Sequence, residues 1–195
     1  PARFDAKKCE AINAAHIRML PLAQLTEQLV PFLAASGLIS EPPLPEERDR
    51  LAAATPLVQE RINTLSEAAA MLAFLFLADD KITMAADAGL SPDSAPTLTA
   101  AYQALAAVSD FDHASVEAAL RTALVDELGL KPRLAFGPVR AAITGSRISP
   151  PLFESIELLG RESALARIAA ALAQLGEPDL AESDSGRIDA GRPRS

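Results

Sequence analysis

The sequence predicts an all-α protein, two consecutive helical subdomains forming a bundle or cage of about nine or ten helices with no sheet. Three observations carry that prediction. Apolar residues recur at three- and four-residue spacing almost throughout, no run of alternating β-branched residues competes with them, and Pro, Gly and capping residues punctuate the stretches between. With 195 residues, 49% of them hydrophobic, folding can bury roughly 70% of the extended chain's surface. One large or two small domains are therefore expected.

The elements follow in order. Asp5 precedes a helical run reaching about Met19, and Pro21 opens a second helix with Leu22, Leu25, Leu29, Phe32 and Leu33 at helical spacing. Gly37 suits the left-handed position that ends it. Ser40 to Pro45 is a Pro-rich connection, and Pro31 and Pro56, inside helical patterns, predict a kink or a fresh start. Thr64 and Glu67 have capping-box spacing ahead of the apolar run Ala68 to Ala78. That run is too short for the roughly 20 residues of a membrane span, so it is expected to be a core helix. Leu98, Tyr102, Leu105 and Val108 mark the next helix. Asp112 or His113 starts another, striped by Val116, Leu120, Leu124 and Leu128 and ended by Gly129. Pro138 is expected to begin a helix closed by Gly145, Ser149, Pro150 and Pro151 to start the following one, and Gly160 to break before a last helix to about Leu175. A soft boundary over Asp79 to Pro96 divides 1–90 from 91–176. Beyond Gly176 the composition turns to Ser, Asp, Gly, Arg and Pro, which predicts a disordered tail over 177–195.

Several chemistries are excluded by what is missing. Cys9, the single cysteine, permits no internal disulfide and no Cys-rich zinc site, and predicts a reducing, cytoplasmic setting. His16 shares a helical stripe with Cys9, Ile12 and Met19, so His16 and Cys9 are expected to pack in the core. His113 fits a capping role. No pair of ligands has metal-binding helical spacing, and no Gly-rich loop can cradle phosphates. These residues predict no catalytic centre and no cofactor of their own. No signal peptide or membrane segment is expected, and the missing initiator Met predicts a fragment or a processed chain.

Charge is unevenly spread. The formal net charge is -8, which at first sight argues against nucleic acid, where a basic footprint is expected. Residues 1–130 carry 9 basic and 18 acidic groups, whereas 131–167 carry 6 basic (Lys131, Arg133, Arg140, Arg147, Arg161 and Arg167) and 3 acidic. Five of those six cations are Arg, whose planar fork suits phosphates and base edges. A solvated helix face explains the same charge equally well.

Residues 134–153 read LAFGPVRAAITGSRISPPLF. Two helix ends and a short loop are expected to converge there, bringing a guanidinium, a hydroxyl, backbone N–H groups, prolines and an apolar pair to one spot. Such a set suits splayed single-stranded bases. The alternative is a helical hairpin whose Leu152 and Phe153 are simply core.

The stretch FGPVRAAITGSRISPPLFESIELLGRESALARI closely resembles the C-terminal anticodon-binding domain of bacterial glutamyl-tRNA synthetases, with their P-x-R-x-A-(L/I)-T-G and (S/T)-P-x-L-F-E-x-x-x-L-L-G patterns. FDAKKCEAINAAHIRML and LVPFLAASGL resemble earlier helices of the same family, so the likeness runs in order over about residues 1–175. The family's Rossmann catalytic half and its ATP motifs have no match in this chain.

The resemblance implies a tRNA-recognition module of glutamate–tRNA ligase, an aminoacyl-tRNA synthetase that uses ATP with Mg in its full-length form. Arg140, Ser149 and Pro150 correspond to the family's contacts with the first anticodon base, Leu152 and Phe153 to positions around the middle base, and Arg61 to the reader of the third. Lys131, Arg133 and Arg147 are candidate tRNA backbone contacts. The implied partners are the anticodon arm of tRNA-Glu and the protein's own N-terminal catalytic domain, in a monomer with no membrane association. The competing expectation is a non-catalytic helical protein-interaction bundle in which the same arginines are solubilising charges.

Overall fold

A computed structural model describes residues 6–85 and 88–176. The tail expected to be disordered, 177–195, lies outside the described residues. Among the described residues there are nine α-helices: α1 (Ala6–Met19), α2 (Leu22–Ala35), α3 (Pro45–Gln59), α4 (Leu65–Phe76), α5 (Ala95–Ala107), α6 (His113–Arg121), α7 (Pro132–Thr144), α8 (Leu152–Leu159) and α9 (Arg161–Gln174). Among the described residues there is no strand, and no helix is long and apolar enough to cross a membrane.

Helices α2, α3 and α4 pack on one another, as do α5 to α9, and α3 reaches across to α8. One buried apolar cluster runs through both groups. Leu25, Leu29, Leu33, Leu51, Ile62, Leu72 and Leu75 fill the first part, and Leu98, Leu105, Leu120, Leu124 and Ile143 the second. Each such side chain contributes about 1.5–3 kcal/mol relative to exposure. The apolar run expected to be a core helix is α4, which buries Ala68, Ala69, Leu72, Phe74 and Leu75.

Helix ends follow the sequence punctuation in most places. At the end of α2, Gly37 takes φ +69°, its N–H bonds the Ala34 carbonyl, and the Leu38 N–H bonds the Leu33 carbonyl. These two bonds form the paired closure of a Schellman motif. Both α2 and α3 continue through Pro31 and Pro56, with no fresh start at either. Asp112 caps α6 by accepting the Ser115 N–H at 2.8 Å, and that bond holds its carboxyl below the usual carboxylate range.

Five expectations are corrected. Glu67 does not close a capping box on Thr64: its carboxylate accepts one residue earlier, from the Asn63 N–H at 2.9 Å, and from the Thr64 hydroxyl at 3.1 Å. The Cys9, Ile12, His16 and Met19 stripe faces outward, with Met19 80% exposed and Cys9 an exposed thiol, because α1 packs through Ala14 and Ile17 instead. His113 does not cap α6; Asp112 does, which frees the His113 ring to meet Glu157 of α8 at 3.0 Å. The stripe on α6 fails at Leu128, which is half exposed, because Thr122–Glu127 winds as a π turn whose wider repeat shifts the register. Helix α7 begins at Pro132, and Pro138 lies inside it. Gly137 lacks the Cβ that would clash with the proline ring, and the carbonyl deprived of its partner belongs to Leu134 on the solvent side.

Two links fix α7 against the segment leaving α4. Arg167 of α9, only 3% exposed, donates to Asp79 Oδ1 at 2.7 Å, to the Ile143 carbonyl at 2.9 Å and to the Leu77 carbonyl at 3.2 Å. Gly145 ends α7 at φ +72°, and its carbonyl accepts the Ala85 N–H at 2.8 Å. A Cβ there would lie 2.6 Å from the Thr83 carbonyl oxygen. Arg167→Ala leaves the Ile143 and Leu77 carbonyls without their donor and the part-exposed Asp79 without its partner. A buried group left unsatisfied costs about 1–3 kcal/mol, so the variant should lower unfolding free energy by ~3 kcal/mol in urea titrations. Gly145→Ala, strained in φ and in contact, should cost more than about 1 kcal/mol. An Arg167→Ala chain as stable as wild type would contradict this account of the junction.

Candidate nucleic-acid interface

The site grows from the end of α7, the loop 145–151 and the start of α8. Thr144 braces the loop: its hydroxyl donates toward the Arg140 and Ser146 carbonyls at 2.9 and 3.1 Å and accepts the Ser146 N–H at 3.3 Å. The Ser146 hydroxyl accepts the Ile148 N–H at 3.1 Å. Arg147 and Ile148 are thereby held outward and exposed.

Arg140, half-buried, is pinned from beneath. Its Nη1 donates to the Ser149 hydroxyl and, at 2.8 Å, to the Pro150 carbonyl, while the Ser149 hydroxyl also donates to that carbonyl at 2.9 Å. Among the described residues, no carboxylate lies in ion-pair range of Arg140, and the edge formed by Nε and Nη2 donates to no protein acceptor. A guanidinium held by one nitrogen with its other edge open is preorganised for a bidentate acceptor.

Burial lowers the Arg140 pKa first, and the neighbouring charge of Arg61 lowers it further. That second cause shows that the two arginines, far apart in sequence, share one neighbourhood. The contact of α3 with α8 brings them there, since Arg61 sits just past the C-terminal end of α3 and is exposed. Two like charges in one neighbourhood, without a carboxylate partner among the described residues, repel each other and favour an anion nearby.

Not every expected residue faces outward. Ser149 and Pro150 are buried beneath Arg140, and Leu152 is a core residue. Phe153 is partly buried and meets Phe136 edge to face at 5.3 Å between centroids. Lys131 and Arg133 are exposed at the start of α7. Two members of the basic stretch are structural instead: Arg167, described above, and Arg161, whose Nη atoms cap the end of α5 at the Ala106 and Ser109 carbonyls, both 3.1 Å, and which stacks on Phe111 at 4.9 Å. The cations of this stretch left without an ion-pair partner among the described residues are therefore Lys131, Arg133, Arg140 and Arg147, joined by Arg61.

Beside them runs a groove of about 1070 Å³ between α7 and the segment entering α5, lined by Asp93, Thr97, Arg133, Leu134, Pro138, Arg140, Arg147 and Ile148 among others. Leu134 is 61% exposed and Ile148 78%. No expectation from the sequence singled out these two residues; their exposure follows from the earlier start of α7 and the braced loop. Among the described residues no group of three or more His, Cys, Asp or Glu side chains is placed to hold a metal ion.

The helical scaffold and the open guanidinium pair together define a domain suited to phosphates and base edges. A family model described as anticodon binding domain matches residues 24–172, and the chain belongs to that family. It is 56% identical over 177 residues to the glutamate–tRNA ligase of Kocuria rhizophila, covering 90% of this chain and 35% of that protein. With the glutamate–tRNA ligase of Kineococcus radiotolerans it shares 53% over 170 residues, covering 86% and 34%. Among solved structures, a glutamate tRNA ligase from Elizabethkingia meningosepticum, crystallised in complex with its amino acid, superimposes with a TM-score of 0.70 at 20% identity, over 89% of this chain and 33% of that one. The chain spans about a third of the length of the curated relatives it matches.

The pinning of Arg140 is testable without any ligand. Ser149→Ala removes one of the two acceptors of Nη1, so the ¹⁵N order parameter of the Arg140 Nε–H should fall while that of Arg167 stays unchanged. An unaltered Arg140 would show that the hydroxyl does not position it.

Proposed function

We propose that this chain is the anticodon-reading part of a glutamate–tRNA ligase and holds the anticodon arm of tRNA-Glu. The observation that carries the proposal is the convergence of Arg61 and Arg140, two guanidinia without carboxylate partners among the described residues, at the corner where α3 meets α8. In this reading the Nε and Nη2 edge of Arg140 meets the first anticodon base, with Ser149 and Pro150 holding it in place. Arg61 meets the third base. Leu152 and Phe153 form the floor beneath the middle base, and Lys131, Arg133 and Arg147 take backbone phosphates. The relatives' names support glutamate as the amino acid and tRNA as the partner.

Residues 1–90 and 91–176 act as two helical subdomains around the arm, in a monomeric, cytoplasmic ligase. Neither a phosphate cradle nor a carboxylate cluster for magnesium is found among the described residues, so no step of ATP chemistry is assigned to them; a catalytic domain preceding this region supplies it. The contribution of this region is positional: a bidentate Arg–base contact discriminates by roughly 1–3 kcal/mol, and the phosphate contacts set register.

Arg61→Gln in the ligase should reduce discrimination at the third anticodon base, and Arg140→Ala at the first, each by roughly 1–3 kcal/mol. Aminoacylation of tRNAs substituted at one anticodon position at a time measures both. Equal losses on every tRNA would defeat the assignment. Affinity for the anticodon arm should also fall steeply with salt; a salt-independent affinity would favour an apolar protein-docking surface.

A further inference from the structure

We propose that the groove beside α7 holds one further nucleotide, the one on the 5′ side of the first anticodon base, its base lying on Leu134 and Ile148. The inference rests on the anticodon reading above. Arg140 forms one wall of the groove, whereas Arg61 does not line it. If the first base lies at Arg140 and the third at Arg61, the strand runs 5′ from Arg140 away from Arg61 and enters the groove.

The groove has the features such an occupant needs. Its volume of about 1070 Å³ lies just above the roughly 300–1,000 Å³ of pockets that take drug-sized ligands, so a nucleotide fits. Leu134 and Ile148 are the largest exposed apolar side chains on its lining, at 61% and 78%, and they offer a sequence-tolerant face to a flat base. Arg133 and Arg147 line the same groove and supply charge for the phosphate. Asp93, the one carboxylate among the described lining residues, repels phosphate from its own end and accepts a hydrogen bond from a base N–H. The mixture of an apolar face, two cations without an ion-pair partner among the described residues, and polar groups from Asp93, Ser91 and Thr97 matches one nucleotide of single-stranded RNA better than it matches a duplex backbone.

The test uses this chain and an anticodon stem-loop RNA carrying 2-aminopurine at that 5′ position, with a Leu134→Ser/Ile148→Ser chain for comparison. Both side chains are exposed, so the double variant should keep the wild-type helical circular dichroism and melting temperature. Wild type should brighten the 2-aminopurine as it leaves its stacked neighbours. The double variant should lose that signal and bind the hairpin on the order of tenfold more weakly, with affinity for a plain RNA duplex unchanged. Hairpin affinity within twofold of wild type, or an undiminished signal, overturns the nucleotide pocket while leaving the anticodon reading intact. A dimer that sediments in wild type and is dissolved by the double variant overturns it in favour of a second copy in the groove. No preference of wild type for the hairpin over the duplex overturns the anticodon reading and the pocket together.

Discussion

The buried guanidinium of Arg167 is the contact on which the placement of everything else depends. It reaches from α9 to the carbonyl of Ile143 near the end of α7, to the carbonyl of Leu77 just past α4, and to the carboxylate of Asp79. Burial lowers its pKa and Asp79 works against that shift. A charge taken out of water needs several partners to be tolerated, and here the partners come from both halves of the chain. The end of α7 is thereby registered against the segment leaving α4. Gly145 completes the registration two residues further on, since its missing side chain lets the Thr83 carbonyl approach and its own carbonyl binds Ala85.

The candidate site follows from that registration. Once α7 is fixed, the braced loop 145–151 and the start of α8 have one place to go, and α3 packs against α8 with Arg61 at its end. Arg140 and Arg61 then share one neighbourhood, Arg140 pinned and Arg61 without an ion-pair partner among the described residues. The net charge of -8 is an average that hides this arrangement. In the proposed function, acidic surface elsewhere would lower non-specific attraction to RNA and leave a few directed guanidinia to set the register.

Most helices were legible because their boundaries depend on local chemistry: Gly37, Gly145 and Gly160 stop helices, and Asp112 starts one, through bonds formed within a few residues. The errors arose where tertiary contact decided the outcome. Nothing local distinguishes the Cys9, Ile12, His16 and Met19 stripe from the Ala14 and Ile17 face, and the larger side chains were the misleading ones. Pro138 reads as a helix start until Gly137 is credited with relieving the ring's clash. Arg140 and Ser149 could be named as candidates from the sequence, but their arrangement could not, because it depends on Ser149 lying beneath the guanidinium and not beside it. Arg161 and Arg167 illustrate the same limit: counting charge cannot separate an arginine that caps carbonyls from one that faces solvent.

The central claim is that Arg61 and Arg140 jointly meet the anticodon. Following the Arg Nε–H resonances of the ¹⁵N-labelled chain during titration with the tRNA-Glu anticodon stem-loop tests it most directly. The account predicts that the Arg61 and Arg140 signals shift together with the binding curve while Arg161 and Arg167, occupied within the fold, stay in place. Binding that leaves both Arg61 and Arg140 unmoved would contradict it.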